Sequence, residues 1–124
     1  MNDGLFIDWV DIEWCARARL KGYELLLDGG TQMSHSIGEV SRPILWRRFH
    51  LHTPIRHFYL LRNAILIAKK PQFELGWRVH LLLYALRVIV ASLVLGDQRL
   101  SRWRFAYQGL LAGLSGRQGP IGKS

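Results

Sequence analysis

The feature that most constrains the fold is a long apolar run, Leu75 to Leu95, which contains an arginine, Arg87, near its middle. The part from Val79 to Leu95 has about the minimum length of a membrane span, but an arginine near the bilayer centre costs at least ~2.5 kcal/mol. The same apolar run with its arginine is also compatible with a helix that lies in the membrane interface, or with a helix packed in a soluble domain. We therefore favour interfacial contact, then soluble packing, and spanning least.

Charge is divided unevenly along the chain. Residues 1–40 hold seven acids and three bases, a balance of −4, whereas residues 41–124 hold two acids and fourteen bases, a balance of +12. The basic part suits phosphates, which nucleotides, lipid headgroups or nucleic acids carry. No helix-turn-helix, zinc or aromatic-sheet signature accompanies it, so we expect no nucleic-acid partner and instead expect an anionic membrane surface. The arginines expected at that surface are Arg78, Arg87, Arg99, Arg102 and Arg104.

The length and the cysteine content limit the class of protein. A chain of 124 residues has room for about one domain. Its single cysteine, Cys15, cannot form an intramolecular disulfide, and no signal-peptide pattern opens the chain. We therefore expect a reducing, cytoplasmic setting.

The first third of the chain is predicted to mix short strands with one helix. Residues 5–7, 23–27 and 31–36 are typical of strands, and residues 9–21 have a helical pattern that Asp8 caps and Gly22 ends. These elements predict an α/β fold.

The rest of the chain is predicted to be helical after a loop at residues 37–52. The pair Thr53-Pro54 starts a helix, because threonine caps helices and proline is tolerated at the first helical position. The sequence Lys69-Lys70-Pro71 ends it, and Gly96-Asp97 separates the apolar run from a last amphipathic helix at about 98–113.

Three segments in order resemble one enzyme family. They are FIDWVDIEWCARARLKGY at 6–23, MSHSIGE at 33–39 and RHFYLLRN at 56–63. They resemble the family 2 glycosyltransferases, and specifically the bacterial rhamnosyltransferases that use dTDP-rhamnose. The resemblance implies the carboxy-terminal half of a nucleotide-sugar transferase (GT-A-like) fold at residues 1–70. A basic, membrane-proximal helical tail at 71–113 and a flexible terminus at 114–124 would follow.

The resemblance also implies a reaction and its residues. Rhamnose would pass from dTDP-rhamnose to a lipid-linked saccharide with inversion, during cell-surface polysaccharide synthesis at the inner face of a bacterial plasma membrane. Asp11 takes the position of the general base, which removes the proton of the acceptor hydroxyl. Asp8 and Glu13 would be orienting or structural, although acids in the first turn of a helix are also common without any catalytic role. His35 takes the position of a metal or diphosphate ligand, for a complete enzyme that uses Mg²⁺ or Mn²⁺, but a lone histidine is more often structural.

A predicted helix face carries four further candidates. Arg56, Tyr59, Arg62 and Asn63 share this face, and the planar fork of arginine fits phosphate oxygens. They would bind the leaving diphosphate or the acceptor, unless the face is simply solvated. Because the resemblance does not include the nucleotide-binding half, we expect the chain to be inactive alone. It would be either a gene fragment or one piece of a split protein that a separate N-terminal half completes. The alternative is a noncatalytic membrane-surface or protein-interaction module.

Overall fold

The structure, a computed structural model, describes residues 3–32, 34, 41–44, 47–50 and 52–122. A short 3-10 turn, Asp3–Leu5, precedes four helices: α1 Val10–Leu20, α2 Pro54–Ala68, α3 Leu75–Leu95 and α4 Arg99–Ser115. Between α1 and α2 lies an antiparallel hairpin of β1 Ser41–Ile44 and β2 Arg47–His50, in which Ser41 is opposite His50 and Ile44 is opposite Arg47. The described fold is therefore helical, apart from this hairpin.

The prediction of an α/β, partial GT-A-like fold is wrong. Residues 5–7 contain the end of the 3-10 turn, and residues 23–27 have no regular secondary structure. Within 31–36, only residues 31, 32 and 34 are described, and they are irregular as well. The physical reason is visible at Leu26 and Leu27, whose side chains are 90% and 97% exposed, because no sheet in the described chain covers them. A short apolar run cannot distinguish a strand from an extended segment by periodicity.

The helix boundaries follow the local signals closely. Gly22 follows α1 with φ 83°, the left-handed conformation expected at a helix end. Pro54 opens α2 after an extended Thr53, whose side chain makes no capping hydrogen bond, and α2 ends one residue before Lys69. The apolar run forms the whole of α3. The cap predicted at Asp8 is wrong: α1 begins after a left-handed Trp9, and no side chain caps it.

Helix α2 occupies the centre of the helical packing and contacts both α3 and α4. Leu60 and Ala64 of α2 pack on Ala85 of α3. Helix α4 approaches α2 so closely that a Cβ atom at Gly109 would lie 2.9 Å from the Cα of Phe58 and would collide with its carbonyl oxygen. These contacts cross the predicted division at residue 70; that division, and the one at 113, stay predictions.

Candidate functional site

The segment that precedes α1 has an unusual backbone. Phe6, Asp8 and Trp9 have φ values of 64°, 57° and 64°, in the left-handed region that residues other than glycine rarely adopt. Each such residue costs of order 1–3 kcal/mol unless its surroundings enforce the conformation. The surrounding side chains must therefore hold this segment in place.

Asn63 supplies part of that restraint. Its amide nitrogen Nδ2 donates to the carbonyl oxygens of Leu5, Ile7 and Asp8, at 2.9, 2.6 and 3.1 Å. The side chain is fully buried, and its Oδ1 accepts a hydrogen bond of 2.9 Å from Nε of Arg62. One amide on α2 thus binds three carbonyl groups of the backbone segment that leads to α1.

Arg62 completes the restraint from the same helix. Its Nη2 donates to the carbonyl of Leu5 at 2.8 Å and to that of Gly4 at 3.3 Å, while Nη1 donates to the carbonyl of Gly119. The guanidinium carbon lies 5.0 Å from the ring centre of Tyr59, close enough for a cation–π contact. We call Arg62 and Asn63 the backbone clamp, because they bind main-chain carbonyls of residues distant in sequence.

The clamped segment carries Asp8 to the start of α2. Nη2 of Arg56 lies 2.5 Å from Oδ1 of Asp8, and Nε of Arg56 donates to Oδ2 at 3.4 Å. The Asp8 side chain is 10% exposed and that of Arg56 33% exposed. The carboxylate predicted to cap α1 instead forms a two-point ion pair with α2.

Beside this ion pair lies a cleft of about 450 Å³, between the start of α1, the start of α2 and the first half of α3. Trp9 is fixed in its wall, because Nε1 donates to the carbonyl of Leu60 at 3.0 Å and its ring meets Tyr84 edge to face at 5.4 Å. We call it the aromatic cleft. It is lined by Asp8, Trp9, Ile12, His52, Arg56, Leu60, Trp77, His80, Leu81 and Tyr84.

Glu13 lies on α1 but has a different role. Its carboxylate is fully buried, with Oε1 2.8 Å from Nζ of Lys70 and Oε2 3.3 Å from Nη2 of Arg17. Burial alone would raise the pKa of Glu13, but the hydrogen bonds and charges of Lys70 and Arg17 outweigh it and lower the pKa below its ordinary value. Glu13 thus joins α1 to the end of α2 as a structural ion pair.

The predicted site residues occupy different environments. Asp11 is exposed on the first turn of α1 and is not among the residues that line the aromatic cleft. Arg56 lines the cleft, whereas Tyr59 is buried and its hydroxyl accepts a 2.9 Å hydrogen bond from the backbone nitrogen of Ile121. With Arg62 and Asn63 in the clamp, one of the four residues of the predicted face reaches the cleft. Their predicted roles in binding diphosphate or acceptor stay predictions.

The predicted metal ligand, His35, lies outside the described residues. Within the ranges that are described, no three His, Cys, Asp or Glu side chains are grouped in a way that could hold a metal ion. The divalent metal therefore stays an expectation for a complete enzyme.

The side chains that α3 contributes to the cleft are not among the site residues predicted from the sequence. Trp77, His80 and Tyr84 have the spacing i, i+3, i+7, which places them on one helix face. This spacing within an otherwise aliphatic run was the signal that could have found them. Trp9 had no such signal, because it meets Tyr84 only through the tertiary fold.

A second surface feature is apolar. The outer face of α3 exposes a row of aliphatic side chains beside Arg87, and the outer face of α4 exposes apolar and aromatic side chains beside Arg104. Arg102, expected at a lipid surface, is instead buried and donates to the carbonyls of His52 and Asp97. We call these surfaces the outer apolar faces; they comprise Val79, Leu83, Leu86, Val90 and Val94 on α3, and Leu100, Trp103, Tyr107, Leu111 and Leu114 on α4.

By length and composition, α3 could also cross a membrane. Residues Leu75–Val94 meet both criteria, and 22% of that window is buried inside the protein. The core helix of a soluble protein can meet the same criteria, so this finding is weak evidence for a span.

Comparison with known proteins gives one relationship. No protein-family model and no solved structure matches the chain. Over 122 residues, however, it is 31% identical to dTDP-rhamnosyl transferase RfbF of Shigella flexneri, a match that covers 98% of this chain. The chain is distantly related to a rhamnosyltransferase. It spans 40% of the length of that relative, which fits the expected partial-length match to a rhamnosyltransferase.

Proposed function

We propose that this chain is part of a rhamnosyltransferase that transfers rhamnose from dTDP-rhamnose to a lipid-linked saccharide in cell-surface polysaccharide synthesis. The supporting observation is the 31% identity to a dTDP-rhamnosyl transferase across 98% of the chain. The chain spans 40% of that relative. By the resemblance, the complete enzyme would also have a nucleotide-binding part, on a separate chain or in further sequence. The proposed location is cytoplasmic, at the inner face of a bacterial plasma membrane.

In this proposal Asp11 is the general base. Its carboxylate is exposed on the first turn of α1, so an acceptor hydroxyl can approach it. The carboxylate takes the hydroxyl proton while the oxygen attacks the anomeric carbon from the side opposite the leaving diphosphate. Among the described residues, no three His, Cys, Asp or Glu side chains are grouped to hold the Mg²⁺ or Mn²⁺ that the resemblance implies.

The test is a chimera in which this chain replaces the matching part of the Shigella flexneri enzyme. Asp11→Asn removes the base but keeps the side-chain shape, so transfer should fall at least ~100-fold while binding of dTDP-rhamnose is unchanged. Asp3→Asn, which alters another exposed carboxylate near α1, is the matched control and should transfer at the parental rate. Transfer of labelled rhamnose to a lipid-linked acceptor measures the rate. Equal turnover by Asp11→Asn and the parental chimera would remove Asp11 from the role of base.

The isolated 124-residue chain provides a second test. We expect no measurable binding of dTDP-rhamnose in calorimetry. The nucleotide-binding part of the enzyme would hold the nucleobase, the ribose and the diphosphate of this donor. Saturable, metal-dependent binding to this chain would show that it contains a donor site of its own.

The outer apolar faces favour a second candidate function, a noncatalytic module that binds an anionic membrane surface. Exposed aliphatic and aromatic side chains can enter the boundary between headgroups and acyl chains, and the +12 balance of residues 41–124 complements anionic lipid. Each arginine near such a surface contributes ~1 kcal/mol. Arg87, Arg99 and Arg104 are exposed next to the faces and are placed to do so.

Flotation with vesicles of neutral and anionic phospholipid tests this candidate. The chain should float at low ionic strength and be released at high ionic strength, because salt screens the attraction. Leu83→Glu, on the outer face of α3, should weaken flotation, whereas Leu26→Glu, at a still more exposed leucine outside the helices, should not. A chain that stays with vesicles through high salt and carbonate would be inserted, and one that never floats would exclude this candidate.

A further inference from the structure

The aromatic cleft combines two kinds of lining. Trp9, Trp77 and Tyr84 supply flat apolar surface, and Trp9 is held in place by its hydrogen bond to the Leu60 carbonyl. The ion pair of Asp8 and Arg56 supplies a carboxylate and a guanidinium at the same wall. Small-molecule sites typically have this composition, with mostly apolar and aromatic walls and a few fixed polar groups that orient the ligand.

The charge of the lining selects between classes of ligand. Its one carboxylate, on Asp8, is paired with its one permanent cation, on Arg56. The charges of this carboxylate and this guanidinium cancel, so the lining apart from its two histidines carries no net charge. A nucleotide diphosphate would need cations in excess of the carboxylate, whereas a neutral ligand with many hydroxyl groups would not.

We propose that the aromatic cleft binds a neutral saccharide. The C–H face of a sugar ring would lie against the aromatic side chains, while its hydroxyl groups donate to the Asp8 carboxylate and bond to the imidazole of His80. The volume of about 450 Å³ lies in the range of small-molecule sites and accommodates one or two sugar rings. The proposal rests on the proposed function only where it identifies this saccharide with the acceptor; the binding itself does not depend on transfer.

Saturation-transfer NMR on the complete 124-residue chain tests the binding. The probes are methyl α-L-rhamnopyranoside, methyl β-D-glucopyranoside and N-acetylglucosamine, with dTDP as the anionic competitor. Irradiating the aromatic protons of the protein should transfer saturation to the ring protons of at least one glycoside, and excess dTDP should not displace it.

Two variants locate the binding in the cleft. Tyr84→Ala removes a partly exposed ring from its wall, and His80→Ala removes an exposed polar group without disturbing the core. Each should weaken glycoside binding about threefold to tenfold. Tyr23→Ala removes an exposed tyrosine outside the cleft and should bind as the parent does.

The outcomes separate this proposal from the proposed function. Absence of saturation transfer from all three glycosides, unchanged affinity in both cleft variants, or displacement by dTDP would each overturn the saccharide proposal. Transfer by the chimera with an unchanged acceptor KM in Tyr84→Ala would overturn its acceptor role but leave the rhamnosyltransferase proposal intact. If the chain binds glycosides but its chimera transfers no rhamnose, the saccharide proposal stands and the rhamnosyltransferase proposal fails.

Discussion

Replacing Asn63 with aspartate exchanges the N–H donors of the backbone clamp for a carboxylate of nearly the same shape. The two hydrogens of Nδ2 serve three carbonyls, those of Leu5, Ile7 and Asp8, at 2.6–3.1 Å. Leaving a buried polar group unsatisfied costs about 1–3 kcal/mol, and a buried carboxylate facing carbonyl oxygens costs more. With at least two hydrogen bonds lost, Asn63→Asp should lower the free energy of unfolding by ~3–5 kcal/mol at neutral pH.

Urea denaturation followed by far-UV circular dichroism measures this loss. Gln72→Glu makes the same change from amide to carboxylate at an exposed position between α2 and α3, and should leave the midpoint unchanged. The loss at Asn63 should shrink in acid, because a protonated carboxyl regains one donor. If Asn63→Asp unfolds at the parental urea concentration, Asn63 does not hold the backbone. Its predicted role in binding diphosphate or acceptor would then be the better explanation.

Two further predictions concern packing and pH. Gly109→Ala should destabilise the protein by ~1–3 kcal/mol in thermal denaturation, because its Cβ would lie 2.9 Å from the Cα of Phe58. Gly76→Ala, with no atom within 4 Å of the new Cβ, should instead stabilise α3 by up to about 1 kcal/mol. If both alanine variants changed the stability in the same direction, the close approach at Gly109 would be contradicted. Burial lowers the pKa of His57 below its ordinary 6.5, so the unfolded chain binds the proton first and stability should fall as pH drops below about 6.5. Urea denaturation at a series of pH values should show this loss of stability in the control His80→Gln, which replaces an exposed histidine. The loss should be smaller in His57→Gln.

The parts of the fold that the sequence predicted depend on neighbouring residues. Thr53-Pro54 starts α2 because proline fits the first helical turn, and Gly22 ends α1 because glycine adopts positive φ without strain. The failed predictions depend on distant partners. The strand predicted at 23–27 has no partner among the described residues, where β1 and β2 pair with each other. The Asp8 carboxylate, predicted to cap α1, instead pairs with Arg56, 48 residues further along.

The candidate site shows the same division. Arg56, Tyr59, Arg62 and Asn63 lie on one helix, α2, but the sequence did not show what each of these side chains meets. Arg62 and Asn63 are fully or almost fully buried and bind main-chain carbonyls, an arrangement that no spacing rule distinguishes from a phosphate-binding face.

The clamp links the stability of the helical core to the geometry of the aromatic cleft. The left-handed backbone at Asp8 and Trp9 turns both side chains toward the cleft, and it is unfavourable without the carbonyl contacts that α2 provides. Asn63→Asp should therefore reduce stability and glycoside binding together, since it releases the wall that carries Asp8. Tyr84→Ala should reduce binding alone, because its ring is partly exposed and lies outside the clamp. If the two variants behave alike, the cleft wall does not depend on the clamp.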